Sequence, residues 1–331
     1  MKAGGLSARL TCDDWCDLPA SLIAPLYQTE IDVWAATLEW DSSRDWLEVE
    51  RGRVLRTVSG LVVTDERGRI VGWTYYLVHG RMLQIGSFVS RSEACTDLMF
   101  DRIFDDPQMA GVETVTFFAL ATAPGLVPAT RRFGLTVSRY WYLSRPADAG
   151  VQSVPPRDAR LWRLEDVEAT ADLFARAYGP SDGSRPFAPH GTSDEWRTYV
   201  AQIVGARGCG ELLLGASWCV ASGIGRLGAV ALVSRVGPST GHLIQLAVDP
   251  QLQAKGIGSG LLEAGCASAA RVGCRRMTLL VAGHNRRARD LYEGAGFKSL
   301  ASFVSAGALR VDVQPRRLTS VALVERLTTF R

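Results

Sequence analysis

The residues best placed to do chemistry form the run Gln253-Ala254-Lys255-Gly256-Ile257-Gly258-Ser259-Gly260, after which Leu261-Leu262 opens a helical pattern. Just before it, His242-Leu243-Ile244-Gln245-Leu246-Ala247-Val248 reads as a strand. Strand, glycine-rich turn and helix N-terminus together make a site for phosphate. Glycines allow close backbone approach, free N–H groups point outward, and the helix dipole favours an anion. Two commoner glycine motifs do not fit. The dinucleotide fingerprint G-x-G-x-x-G fails because its third glycine arrives one residue early, at Gly260. A P-loop needs Gly-Lys-Ser/Thr, and that tripeptide does not occur.

What remains is Gln-x-x-Gly-x-Gly, and the residues that follow give it context. A helix over roughly Ile257 to Val272 and a strand over Met277–Val281 lead to Asn285-Arg286-Arg287-Ala288-Arg289-Asp290-Leu291-Tyr292-Glu293-Gly294-Ala295-Gly296-Phe297. Ala288, Leu291 and Tyr292 fall on one helical face, and Gly296 is placed to end the helix before Phe297 starts a strand. The two linked segments resemble the signatures of the GNAT acetyltransferases: the pyrophosphate turn, and Asn-x-x-Ala-x-x-Leu-Tyr-x-x-x-Gly-Phe with every fixed position occupied. The resemblance spans roughly Ala159 to Phe330, about half the chain. Each residue also has a plainer reading: the glycines as a tight turn, Tyr292 as a core aromatic, Asn285 as an N-cap.

The resemblance implies acetyl-CoA as cosubstrate and direct attack by an amine on the thioester in a ternary complex. Backbone groups of Leu246, Ala247 and Val248 would then pair with the pantetheine arm. The Leu246 or Val248 N–H could also bond the thioester oxygen. Gln253, Ala254, Lys255, Gly256, Ile257, Gly258, Ser259 and Gly260 would hold the pyrophosphate, and Asn285 would brace the cofactor arm. Tyr292 would be the general acid for the departing thiolate. The base departs from the family pattern: Leu280 stands where some members carry a glutamate, and His242 stands where others do. An imidazole of ordinary pKa, near 6.5, is a competent base at neutral pH. Gln245, three residues on, should face away from His242 unless a bulge intervenes. His284 and a more distant carboxylate such as Glu211 are the remaining candidates.

At 331 residues the chain is long enough for two domains. Its 47% hydrophobic and 21% charged content is ordinary for a soluble protein, and a net charge of +3 gives no reason to expect nucleic-acid binding. No signal peptide is legible, and the most apolar stretch, Gly215 to Ser234, is broken by Arg226 and reads as two strands, not a membrane span. Dispersed cysteines and histidines argue for free thiols, a cytoplasmic setting and no metal.

The proline- and glycine-rich segment Arg145 to Pro156 reads as a linker. It divides residues 1–146, linker 147–157 and a catalytic domain over 158–331. In the second part, Arg160–Leu164 is a first strand, Asp166 a cap for a helix over Val167–Tyr178, and Ser193 the start of a second helix. Strands follow at Leu212–Ala221 and Ala229–Val236, with closing strands at Phe297–Val304 and Ser320–Leu327.

The first part repeats this order: a helix around Trp34, a hairpin of Ser59–Thr64 and Ile70–Val78, a strand at Leu83–Val89, then Val112–Phe118 and a helix ending in Arg131-Arg132-Phe133-Gly134-Leu135. Its cofactor turn is missing, since Ser90-Arg91-Ser92-Glu93-Ala94 has no glycine and adds a carboxylate. The expected fold is therefore α/β (α+β), two tandem GNAT-like domains, each a mixed, mostly antiparallel twisted sheet flanked by helices, with the first degenerate and non-catalytic. The expected function is N-acetyl transfer to a small-molecule primary amine, without nucleic-acid or membrane partners. The alternatives are a larger acyl-CoA donor or a non-catalytic acyl-CoA-binding regulator. The loop Gly179 to Gly191 is where the acceptor would meet the chain, and its mixed residues select no particular amine. Trp15, Trp34, Trp40 and Trp46 read either as pocket walls or as core and interface residues.

Overall fold

The structure, a computed structural model, describes residues 9–147, 154–179, 187–205 and 209–309. The expected strand at Ser320–Leu327, most of the acceptor loop and part of the linker lie outside these residues.

The N-terminal half runs β1 (Thr11–Asp14), α1 (Ala20–Leu38), α2 (Ser43–Val54), β2 (Ser59–Thr64), β3 (Ile70–His79), β4 (Met82–Ser90), α3 (Glu93–Phe104), β5 (Thr114–Leu120), α4 (Leu126–Arg132) and β6 (Thr136–Pro146). The C-terminal half repeats it with β7 (Ala159–Leu161), α5 (Val167–Tyr178), α6 (Ser193–Val204), β8 (Glu211–Leu212), β9 (Trp218–Gly223), β10 (Arg226–Gly237), β11 (Thr240–Val248), α7 (Ile257–Arg271), β12 (Arg276–Ala282), α8 (Arg286–Gly294) and β13 (Lys298–Leu309).

All the strands among the described residues join one sheet in the order β1-β2-β3-β4-β5-β13-β6-β12-β11-β10-β9-β7, with β8 on β10. Read from either end the two halves match, except that each gives its last strand to the other. The N-terminal half's β6 pairs antiparallel with β12, from Arg276↔Pro146 to Ala282↔Tyr140. The C-terminal half's β13 pairs with β5, and β13 and β6 pair with each other across the middle.

Arg145 and Pro146, read from sequence as the start of a linker, are therefore the last rungs of β6. Proline is tolerated at such a strand end, where no ladder N–H is needed. Arg145 is held by Glu263 Oε1 and Oε2 at 2.9 and 2.8 Å.

The core of the C-terminal half shows why its central strand is apolar from Leu227 to Val233. Along β10, Ala229, Ala231 and Val233 pack with Leu261, Cys266 and Leu279 on the α7 side. Val230 and Leu232 pack with Trp162, Phe174 and Trp196 on the α5–α6 side. With both faces covered, the two-residue period of the strand calls for apolar residues at every position. The first strand is shorter than Arg160–Leu164. Asp166 does not cap α5 with its side chain. Its carboxylate takes two bonds from the Arg160 guanidinium, at 2.7 Å each, and one from the Arg163 N–H at 2.9 Å.

Both halves splay open at the same point. Strands β11 and β12 run parallel only from Thr240↔Arg276 to Leu243↔Leu279, and β4 and β5 only from Met82↔Thr114 to Ile85↔Phe117. Past those rungs the neighbouring pairs are interrupted, between Leu232 and Val233 in one half and Thr74 and Tyr76 in the other. A bulge of this kind bends the strand away from its partner and opens a gap between strands.

Candidate active site

A cavity of about 820 Å³ lies between the two splayed points of the sheet, lined from both halves. Met82, Gln84, Thr114 and Thr116 come from β4 and β5; His242 to Leu246, Leu280 to Ala282 and Tyr292 come from β11, β12 and α8. Trp34, Trp40, Tyr142 and Phe303 also contribute to its walls. The four early tryptophans thus divide: Trp15 and Trp46 belong to the N-terminal core, while Trp34 and Trp40 reach the cavity.

Trp40 is put there by a tight reversal. Glu39 ends α1 in the left-handed region, φ 56°, which is uncommon for a residue other than glycine. Two contacts with the other half and one with β6 hold it: Asp41 N–H donates to Val236 C=O at 2.7 Å, Glu39 pairs with Arg276 at 2.8 Å, and the Tyr142 hydroxyl of β6 donates to Leu38 C=O at 3.0 Å.

His242 lies beneath this segment, 5% exposed. Its ring is 5.1 Å from that of Trp40 and stacks on Tyr142 at 5.9 Å, the planes 14° apart. Its Nδ1 is 2.9 Å from Thr278 Oγ1. Burial alone lowers its pKa to about 3. The ordinary value assumed from sequence therefore does not hold: a charged imidazole would be stripped of water with no anion beside it, so the ring is neutral at physiological pH.

Gln245 also faces the cavity, because the bulge anticipated as the exception is present at this point of β11. Its amide joins a chain in which Nε2 donates to the Tyr199 hydroxyl at 3.1 Å and Oε1 accepts from Tyr178 at 2.9 Å. The Tyr178 hydroxyl is also 2.9 Å from Leu246 C=O. The other carbonyl expected to meet a pantetheine arm, that of Val248, accepts from Gln253 Nε2 at 3.0 Å. The Val248 carbonyl therefore already has a protein partner, while that of Leu246 shares the single Tyr178 hydrogen with Gln245. Ala247 is turned inward and is 2% exposed.

The glycine turn is formed as its sequence suggests. Gly256, at φ +76°, is the N-cap of α7 and provides no side-chain cap, so the first-turn amides of Ile257, Gly258 and Ser259 face outward. A Cβ on Gly260 would come within 2.8 Å of Pro156, and one on Gly258 would lie 3.4 Å from Val248. Ala254 takes a left-handed φ of 62°, and Lys255 is exposed beside it. The Gln253 amide oxygen accepts from Arg287, tying the turn to α8.

In the N-terminal half the equivalent place is closed. Ser92 caps α3 by accepting from Cys95 N–H at 3.2 Å, and Glu93 packs against Gly125 so tightly that a Cβ there would fall 2.9 Å from its Cγ. A cap and a carboxylate stand where the other half has bare amides.

Asn285 is the N-cap of α8, its Oδ1 accepting from Ala288 N–H at 3.1 Å, and it also borders the cavity. Tyr292, on the inner face of that helix, is buried, and burial raises its pKa so that the phenol keeps its proton. Its hydroxyl has no hydrogen-bond partner among the described residues. Gly296, at φ +85°, ends the helix as expected.

His284 lines the cavity, whereas Glu211 sits on β8 paired with Arg235 and does not. The carboxylates that do are Glu113, in an ion pair with Arg81, and Glu195, whose Oε1 is 2.7 Å from His190 Nδ1. Sequence reasoning missed Tyr142, Tyr178 and Thr278. None belongs to a motif, and only the fold brings them to His242 and β11. Among the described residues no group of His, Cys, Asp and Glu is arranged to hold a metal, and no helix is long and apolar enough to cross a membrane.

Comparison with known proteins agrees with this geometry. Residues 177–297 match the Acetyltransferase (GNAT) family. The mycothiol acetyltransferase of Beutenbergia cavernae is 28% identical over 260 residues, covering 75% of this chain and 82% of that protein. The mycothiol acetyltransferase of Propionibacterium freudenreichii is 37% identical over 173 residues, 49% of this chain and 50% of its own length. Among solved structures, a GCN5-related N-acetyltransferase from Sphaerobacter thermophilus superposes with a TM-score of 0.61 at 17% identity, covering 90% of this chain and 96% of that one. A tandem GNAT protein from the clavulanic acid biosynthesis pathway gives a TM-score of 0.51 at 12% identity, covering 76% and 82%. The repeated, splayed halves and the uncapped glycine turn agree with the family match: residues 177–297 of this chain are a GNAT acetyltransferase domain.

Proposed function

We propose that this protein transfers an acetyl group from acetyl-CoA to the primary amine of a small molecule by direct attack in a ternary complex. Residues 158–331 carry the chemistry, and residues 1–146 are a non-catalytic partner that completes the acceptor cavity. The observation that carries this reading is the contrast between the two equivalent turns: bare amides at Gly256 to Ser259, and a side-chain cap with a carboxylate at Ser92 and Glu93. An anion is stabilised at the first and repelled at the second.

Acetyl-CoA supplies the activated thioester. The residues from Gln253 to Gly260 would hold its pyrophosphate, with Lys255 adding charge. The N–H groups of Leu246 and Val248 are the donors for the cofactor arm, and the Val248 carbonyl is engaged by Gln253. Asn285 would brace that arm with the amide nitrogen its capping role leaves over. Tyr292, protonated and unpartnered, is suited to return a proton to the leaving thiolate. His242 offers a neutral lone pair, able to accept a proton from the amine nitrogen once attack has made that N–H more acidic. The acceptor is a small molecule, in keeping with the size of the cavity and with relatives named mycothiol acetyltransferase.

Calorimetric titration of acetyl-CoA into the full chain tests this reading. One binding site is expected, abolished by the double substitution Gly256→Glu/Gly258→Glu. Two sites would refute the assignment of the N-terminal half, and no binding would refute the acetyltransfer reading.

A further inference from the structure

We propose that Thr278 is a positioning residue that holds His242 in a single tautomer, with the proton on Nδ1 and the lone pair of Nε2 presented to the cavity. The argument is a count of hydrogens. The Thr278 hydroxyl has one hydrogen and three neighbours within reach: Gly241 C=O at 3.2 Å, the Tyr142 hydroxyl, and His242 Nδ1 at 2.9 Å. The first can only accept. The second has given its own hydrogen to Leu38 C=O, so it too is left to accept from threonine. With the threonine hydrogen on either of these two oxygens, the contact to Nδ1 is also satisfied only if Nδ1–H donates to Oγ1, the arrangement that satisfies the most contacts. In a neutral ring the other nitrogen is then bare. Nε2 has no partner among the described residues, and His242 borders the cavity.

The repeat within the fold supports the same arrangement. On the parallel rungs, Gln84 faces Thr116 as His242 faces Thr278. Thr116 Oγ1 likewise points at the preceding carbonyl, that of Leu83, at 3.5 Å. The hydroxyl-to-carbonyl contact is thus a feature of both halves, and a residue placed opposite it meets an oxygen ready to accept. Both residues found there, histidine and glutamine, carry an N–H. Only the imidazole adds a basic lone pair, so the proton-accepting group is confined to the C-terminal half.

The catalytic use of this tautomer rests on the acetyltransfer reading above, although the tautomer itself does not. In the reaction, the N–H bond of the attacking nitrogen breaks and an Nε2–H bond forms, while Nδ1–H stays on Thr278. The imidazolium then gives the new proton to water.

Nitrogen NMR of the full-length protein labelled with ¹⁵N-histidine reads the tautomer directly, with His242→Asn identifying the signal. The expected wild-type result is a protonated Nδ1 and a bare Nε2, unchanged from pH 5 to 9. Thr278→Ser should preserve that pattern, and Thr278→Val should mix or reverse it. Nε2–H in the wild type, or an unaltered tautomer in Thr278→Val, overturns the proposal. If Thr278→Val does not fold, the wild-type and Thr278→Ser spectra still decide. Acetyl-CoA titration of the same samples keeps the two readings apart: lost binding with the tautomer intact refutes the acetyltransfer reading alone.

Discussion

Trp40, from the N-terminal half, lies 5.1 Å from His242 of the C-terminal half, ring centre to ring centre. This contact makes the first half part of the second half's site. Trp40 is one of the rings that bury the imidazole, and that burial lowers its pKa to about 3. Replacing Trp40 with alanine should admit water and raise the His242 pKa toward the ordinary value, whereas Trp40→Phe should change it little. An NMR titration of the His242 signal checks this, and an unmoved pKa in the alanine variant would refute it.

The same burial sets two pH dependences. Because His242 is neutral above about pH 3, kcat/KM should show no inflection at the usual histidine value near 6.5. Its rise with pH should follow the pKa of whichever amine is supplied, which two amines of different basicity would reveal. Stability runs the same way. Between the unfolded value near 6.5 and the folded value of about 3 the unfolded chain binds a proton that the native state refuses. Stability is therefore lost as pH falls through that window, by up to about 1.4 kcal/mol per pH unit from this residue. Urea unfolding at pH 7 and pH 4 should show a smaller difference for His242→Gln than for wild type.

Tyr292→Phe removes one hydroxyl and keeps the ring that meets Phe297 edge-on at 6.0 Å. Turnover should fall about a hundredfold, within the range for a lost general acid, while acetyl-CoA affinity holds. A parallel loss of affinity would assign Tyr292 to cofactor binding instead.

A fragment beginning at residue 158 should not fold. It lacks β6, leaving β12 with an unpaired edge from Arg276 to Ala282, and β13 loses both β5 and β6 as neighbours. Exposed edges of this kind aggregate. Co-expression with residues 1–147 should restore a soluble complex; a soluble, monomeric C-terminal fragment would contradict the strand exchange.

Much of this was legible in the residues themselves. The glycine turn, the Asn285-to-Phe297 helix and the repeated order of elements are local patterns, set by backbone freedom at Gly256 and Gly296 and by helical spacing from Ala288 to Tyr292. Short-range rules act on short stretches, so such features survive without a structure. The pocket-facing direction of Gln245 was legible only as a condition, since one extra residue in a strand reverses every later side chain.

What only the tertiary structure decided concerns contacts between distant segments. The exchange of β6 and β13 leaves no mark in either strand, because each needs only an apolar face and a neighbour. That same exchange brings Tyr142 to His242, and the reversal at Glu39 brings Trp40. The sequence by itself determined that an imidazole stands on β11; desolvation by those two rings, and the oxygen of Thr278, decided its charge and the place of its proton, because pKa and tautomer depend on what surrounds a group in space and not on its neighbours in the chain.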